Sequence, residues 1–274
     1  MTESSCPVCG GWPAYEPGPG FAGCGGCGLV WQAEKHSAEP AYAAGTEADI
    51  YGASKRRLFA FSLGFLNRQF AAKGKLLDVG SAYGDFLTAA KSAGWDPEGV
   101  EIAPGPARAA VKRGFAVHTR PVTELSLPEN SYGAVTAFEV FSQMADPLAA
   151  SAELHRILRP GGIVVIREFN AAFHVFMRAL EQKGLLAGLR PSVMHGFNFT
   201  AASLRCMLGK AGFRDIKVRN SLPTSGDPYR TGGRFGRFLT GAIKFLYYYL
   251  AQALWIVTFG RVLAGSALII TARK

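Results

Sequence analysis

The stretch Leu76-Leu77-Asp78-Val79-Gly80-Ser81-Ala82-Tyr83-Gly84-Asp85-Phe86 constrains the fold more than any other part of the chain. Residues 75–79 form a short apolar run with the length of a buried strand. The glycines behind it turn the chain, and a helix over 85–93 follows, stopping at Gly94. The same alternation then recurs. Strands are predicted at 97–102, 115–119, 134–140 and 163–166, with helices at 106–113 and from Asp146 to 158 between them. Asp146 is placed to cap its helix and Pro147 to occupy the first helical position. A helix at 201–211 and a last strand at 266–272 complete the pattern. Strands alternating with short helices build a doubly wound α/β fold around a mostly parallel sheet, here of seven strands.

Open sheets of this kind bind ligands beyond the carboxyl ends of their strands. Gly80 and Gly84 allow the backbone to come close to a ligand there. Glu101 ends the second strand 17 residues after Gly84, where a carboxylate can take both hydroxyls of a ribose. Leu158-Arg159-Pro160-Gly161-Gly162 stops a helix and turns the chain into the next strand. The nicotinamide-type GxGxxG is not met, because positions 82 and 83 are Ala and Tyr.

In this order and spacing, Asp78, the glycine turn, Glu101 and the Pro-Gly-Gly segment resemble the class I S-adenosylmethionine-dependent methyltransferase family, a Rossmann-like fold. The resemblance covers residues 74–168 well and extends weakly to the end. It implies that Asp78, Gly80, Ser81, Tyr83 and Gly84 line the methionine and ribose part of S-adenosylmethionine. Glu101 would bind the ribose and Ile102 pack on the adenine. Val122 would lie at the adenine edge, and Phe138 and Glu139 beside the sulfonium. The sequence departs from the family's usual pattern at Ala82, Gly133 and Gln143.

Four of the five cysteines fall in the first 27 residues, as Cys6-Pro-Val-Cys9-Gly10 and Cys24-Gly-Gly-Cys27-Gly28, with fourteen residues between the knuckles. Two such turns complete the closed tetrahedral shell of structural zinc. The segment is too rich in Gly and Pro to hold a core, so metal would supply its folding energy. It resembles a zinc ribbon. A ribbon followed by a Tyr-bearing helical run resembles a bacterial methyltransferase subgroup tied to sugar or cell-envelope biosynthesis, which implies that Tyr51 helps to cover the cofactor.

The net charge of +10 is uneven: residues 1–154 carry 12 basic against 16 acidic side chains, and 155–274 carry 18 against 4. The basic half suits an anionic surface or a phosphorylated substrate. Residues 238–260 are almost wholly apolar, with Lys244 as their single charge and Arg234, Arg237 and Arg261 alongside. A membrane span there would leave the last strand on the wrong side, so a helix, or helix pair, lying in the membrane interface or over the acceptor site is expected. The chain thus divides into a zinc ribbon (1–32), a linker and helical cover (33–73), the cofactor domain (74–220), a hydrophobic helical insert (221–263) and the last strand (264–274). The polar first five residues offer no secretory leader. The expected location is cytoplasmic, peripheral to the inner face of the membrane.

Methyl transfer needs a base only where the acceptor loses a proton. His195, before the helix at 201–211, is the candidate; His174 ranks lower and His155 reads as structural. The function expected is methyl transfer to a small molecule, sugar or lipid-linked glycan. An RNA methyltransferase and an inactive membrane-associated scaffold are the alternatives. The basic residues are not interleaved with aromatics for base stacking, which makes nucleic acid the weaker choice.

Overall fold

The computed structural model describes residues 5–33, 53–185, 192–224 and 233–274, excluding the side chains of residue 53 and of 233–240. Tyr51 and most of the expected linker lie outside the described residues. Two sheets organise the chain. The larger contains β4 (Lys75–Val79), β5 (Asp96–Val100), β6 (Ala116–His118), β7 (Tyr132–Phe138), β8 (Leu158–Phe169), β10 (Arg214–Asn220) and β11 (Ala267–Arg273). Their order is β10-β11-β8-β7-β4-β5-β6. Pairings are parallel except at β11, which runs antiparallel to both neighbours. This is the seven-stranded, mostly parallel sheet expected.

The central strands are apolar because helices cover both faces. Leu76, Leu77, Val135, Val164, Val165 and Ile166 are fully buried, and each such side chain stabilises the fold by about 1.5–3 kcal/mol. One face is packed by α1 (Arg56–Gln69) and α2 (Asp85–Ser92), through Leu58, Phe59, Leu63, Leu66, Phe86 and Trp95. The other is packed by α4 (Pro147–Ile157) and α6 (Ala201–Lys210), through Leu154, Ile157, Leu204 and Leu208. Asp146 caps α4, accepting from Ala149 N at 2.9 Å, with Pro147 in the first turn. Between them in sequence lies α3 (Pro104–Lys112), which starts two residues earlier than its expected range because Ala103 is the extended capping residue.

β8 is three times the length expected. Pro160-Gly161-Gly162 makes no turn out of the sheet. It bulges within β8, so that Leu158 pairs with Tyr132 and Ile163 with Ala134, and Gly161 and Gly162 bond the end of the chain at Lys274. At the other end the strand continues through Arg167 and Glu168, whose charges are met inside the protein.

The smaller sheet contains β1 (Pro13–Gly18), β2 (Phe21–Cys24), β3 (Val30–Gln32) and β9 (Phe197–Asn198). The first three belong to the cysteine module. The fourth comes from the loop before α6, with Val30 paired to Asn198 and Trp31 to Phe197. Val8, Leu29 and Trp31 join Phe199 and Leu204 in the main core. Among the described residues the cysteine module shares the main core and has no separate one. After β10 the chain forms one continuous helix, α7 (Gly233–Val257), and returns as β11.

Candidate functional site

The carboxyl end of β4 is shaped by contacts that admit only glycine. Gly80 has φ +78°, and a Cβ there would stand 2.3 Å from Val140 Cγ2. Gly84 has φ +79°, and its Cβ would press Ala110 at 3.1 Å and Phe115 at 3.3 Å. The turn is held by Gly80 N and Ser81 N, which donate to Val100 O at 2.7 and 3.0 Å. Ala82, standing where the family has glycine, is itself left-handed at φ +45°. Its N–H donates to Glu101 Oε2 at 2.9 Å, while Ala103 N donates to Oε1 at 2.8 Å. Two amides thus fix the carboxylate, and each oxygen keeps a lone pair for a hydroxyl. Burial pushes the Glu101 carboxyl up, against those amides. Beside it Ile102 is exposed, an apolar surface next to a ribose-type acceptor pair. Ser81 Oγ is buried in the turn without a partner.

Behind the turn lies a buried charge network that sequence reading found only in part. Asp78 accepts from Thr136 Oγ1 at 2.7 Å, and burial pushes it up to about 7. Glu139, left-handed at φ +63°, pairs with Lys55 Nζ at 2.9 Å and with the Arg167 guanidinium. Arg167 Nε donates to Ser221 Oγ at 2.9 Å. Glu168 Oε1 accepts from Phe141 N at 2.7 Å, and burial pushes this carboxyl, too, up to about 7. Burial and the charge of Arg167 push the Lys55 ammonium down. Two cations thus face three carboxylates, with Glu101 a fourth nearby. A ligand carrying a sulfonium and an ammonium would favour the charged forms of Asp78 and Glu168. Of these, Arg167 and Glu168 carried one legible signal, an Arg-Glu pair directly behind an apolar strand. Lys55 gave none, being one basic residue among three at the start of a helix.

Of the other expected positions, Phe138 and Val122 are buried and Tyr83 is half-buried. The Phe138 ring packs between Phe59 and Phe86, at centroid distances of 5.4 and 5.0 Å. Strand alternation turns it into the core under α1 and α2. Val122 lies in the 3₁₀ turn Val122–Glu124 and is buried in the main core, so its side chain offers the adenine no open surface. Tyr83 is half-buried, and its carbonyl accepts from Arg113 at 2.6 Å.

His195 sits at the same end of the sheet. Its ring lies 5.7 Å from that of Phe169, the last residue of β8, and burial holds its pKa below the ordinary value. Its backbone is clamped by Asn198, which accepts from His195 N and donates to His195 O, both at 2.9 Å. His174 is used structurally: Nδ1 accepts from Val193 N and Nε2 donates to Ser266 O, both at 3.0 Å. His155 packs edge-on against Phe213.

The four cysteines come together. Cys6 and Cys27 Sγ are 3.6 Å apart, Cys9 and Cys24 Sγ 3.4 Å, and all four lie within 4.8 Å of one another. A tetrahedral thiolate-bound ion with bonds of about 2.3 Å separates its sulfurs by about 3.8 Å, so the donor set and spacing fit zinc. The module is tied to the His195 loop by β3–β9 pairing, by Gln32 N donating to Gly196 O at 2.9 Å, and by Thr200 Oγ1 donating to Cys27 O at 3.1 Å. A separate cleft of ≈ 390 Å³, lined by Trp95, Asp96, Glu98 and Phe115, opens at the amino ends of β4 to β6. It lies at the opposite end of the strands from Glu101 and His195.

Residues 53–218 match the model of a family described as a methyltransferase domain. Among similar proteins, demethylmenaquinone methyltransferase of Thermus thermophilus is 31% identical over 176 residues, 56% of this chain and 78% of that protein. Ubiquinone biosynthesis O-methyltransferase of Pseudomonas aeruginosa is 26% identical over 45% of this chain and 56% of its own length. Among solved structures, the S-adenosylmethionine complex of phosphoethanolamine N-methyltransferase 2 from Haemonchus contortus has TM-score 0.53 at 19% identity, covering 78% of this chain and 52% of that one. An S-adenosylmethionine-dependent methyltransferase from Mesorhizobium loti has TM-score 0.52 at 17% identity, covering 77% and 96%.

Proposed function

The chain belongs to the S-adenosylmethionine-dependent methyltransferase family, and from that premise we propose that it methylates a small-molecule acceptor, a sugar or lipid-linked glycan included, held between the glycine turn and the His195 loop. The observation carrying this reading is the doubly fixed Glu101 carboxylate beside exposed Ile102, at the carboxyl end of β5 and bonded to the turn after β4. The cofactor, when bound, supplies a methyl group already activated on sulfur. The chain's own residues then bind and orient. Glu101 would take the ribose hydroxyls, Ile102 the adenine face, and the turn from Gly80 to Gly84 the methionine portion, with Glu139 contributing negative charge, Asp78 a polar wall behind the turn, and Tyr51 and Tyr83 cover. His195, kept neutral by burial, would accept the proton of an acceptor hydroxyl. Zinc in the Cys6, Cys9, Cys24 and Cys27 shell would be structural, holding the strand pairing that seats the His195 loop. The relatives named for quinone acceptors support a small molecule over RNA.

Calorimetric titration of the zinc-loaded chain with S-adenosylmethionine tests the reading. Glu101→Ala is expected to weaken binding about 10- to 150-fold, the value of hydrogen bonds to a charged group. Equal affinity in wild type and variant would overturn the assignment of Glu101.

A further inference from the structure

Helix α7 is turned inside out relative to an ordinary surface helix. Its polar side chains point inward. Tyr247 donates to Ala264 O, Gln252 donates to Tyr248 Oη at 2.7 Å, and Lys244 is half-buried. Its outer face reads Ile243, Leu246, Leu250, Leu254 and Val257, a stripe at helical spacing whose members are 39–70% exposed. Ala242, Tyr249, Ala253 and Ile256 widen it, and Phe259 continues it beyond the helix. Apolar patches of this extent on a protein surface mark an interaction site.

The charge around the stripe chooses the partner. From residue 228 to 265 the sequence contains no Asp or Glu, while Arg230, Arg234, Arg237, Lys244 and Arg261 are all present. Exposed Arg219 adds a guanidinium 5.8 Å from the Trp255 ring at the border of the stripe. An apolar helical face bordered by the Arg219 guanidinium and the Trp255 ring, in a segment whose sequence is basic and without acid, suits the headgroup level of an anionic bilayer. No helix among the described residues is long and apolar enough to cross a membrane, and β11 returns directly into the sheet.

The position of α7 gives the contact a purpose. Phe245 lies 5.1 Å from the Arg57 guanidinium at the start of α1. Tyr247 lies 5.2 Å from Phe173, in the first turn of the helix Ala171–Gln182 that follows β8. Asn220 Nδ2, at the end of β10, donates to Ala251 O at 3.2 Å. The middle of α7 therefore rims the end of the sheet that carries Glu139, Arg167 and His195.

We propose that α7 docks the protein on an anionic lipid surface, its apolar stripe in the headgroup layer, and so opens the acceptor side of the site toward the bilayer. The consequence for the acceptor, an amphiphile taken from the membrane, rests on the methyltransferase reading above; the docking does not.

The test is flotation of the full chain with vesicles of phosphatidylcholine and phosphatidylglycerol in equal parts, of phosphatidylcholine alone, and of the mixture at high salt. Wild type is expected to float with the mixture and to lose most of that binding on neutral vesicles or in salt. Leu246→Glu with Leu250→Glu is expected to lower partitioning more than about a hundredfold, with S-adenosylmethionine affinity and circular dichroism unchanged. Wild type remaining in the bottom fraction with the mixture would overturn the proposal, and equal flotation on neutral vesicles would overturn the anionic assignment. So would a stable dimer in light scattering that the double substitution dissociates, since a second copy would then cover the stripe. If the double variant misfolds, the lipid-composition and salt arms decide on wild type alone. Cofactor titration reads the methyltransferase assignment separately, so either can fail without the other.

Discussion

Gly80→Ala isolates what the cofactor turn demands of the chain. Two costs arise at this position. The backbone stands at φ +78°, where an L side chain costs about 1–2 kcal/mol. The added Cβ would also meet Val140 Cγ2 at 2.3 Å, an overlap that must be relieved by displacing Val140 or the turn, at about 1–3 kcal/mol. The sum, about 2–5 kcal/mol, is a large part of a domain's stability. The two parts separate in a double-mutant cycle. Val140→Ala removes the atoms that clash and leaves φ untouched, so Gly80→Ala in that background should cost only about 1–2 kcal/mol. Denaturant unfolding of the four proteins, compared at constant slope, measures the coupling. A Gly80→Ala cost below about 1 kcal/mol, or a coupling of zero, would refute the reasoning that close packing against Val140 shapes the turn.

Two further outcomes follow from the buried charges and the cysteine shell. Asp78 and Glu168, each pushed up to about 7, hold protons in the folded protein that the unfolded chain releases at lower pH. Stability should therefore fall as pH rises from about 5 to about 7, by at most about 1.4 kcal/mol per pH unit for each group, and Asp78→Asn should flatten the profile in denaturant unfolding across that range. Metal analysis should find one zinc per chain. Stripping it should increase proteolysis in 192–200 as well as in 5–33, because β9 and Thr200 are held by the module, and cleavage confined to 5–33 would show that the two are independent.

The sheet was legible because its strands obey simple rules: apolar runs of five to seven residues and glycine turns mark β4, β7 and the start of α2 directly. β8 was misjudged at both ends for one reason. Glycines and charges ordinarily end strands, but here Gly161 and Gly162 bulge and pair with the chain end, and Arg167 and Glu168 find Ser221, Glu139 and the Phe141 amide. Such partners come from distant segments, and no local pattern announces them. The same holds for Lys55, whose role depends on meeting Glu139 across 84 residues of sequence.

The cysteine shell and the His195 loop were each legible alone, and their union was not. CxxC spacing encodes a metal site because its ligands are close in sequence. A two-residue strand such as Phe197–Asn198 carries no periodicity to detect, yet it makes the ribbon part of the main core. Residues 238–260 show the converse. Their composition gave a helix, but a near-continuous apolar run cannot say which face turns outward. Packing decided that: Tyr247 donates to Ala264 O ahead of β11, Gln252 donates to Tyr248 and accepts from Asn220 of β10, and the aliphatic stripe was left outside. A half-buried face carrying Tyr247, Tyr248 and Gln252 and an open face of Leu and Ile is a poor arrangement for water. It becomes a favourable one where the outer solvent is lipid, which is why the orientation of α7, more than its hydrophobicity, carries the argument for a membrane surface.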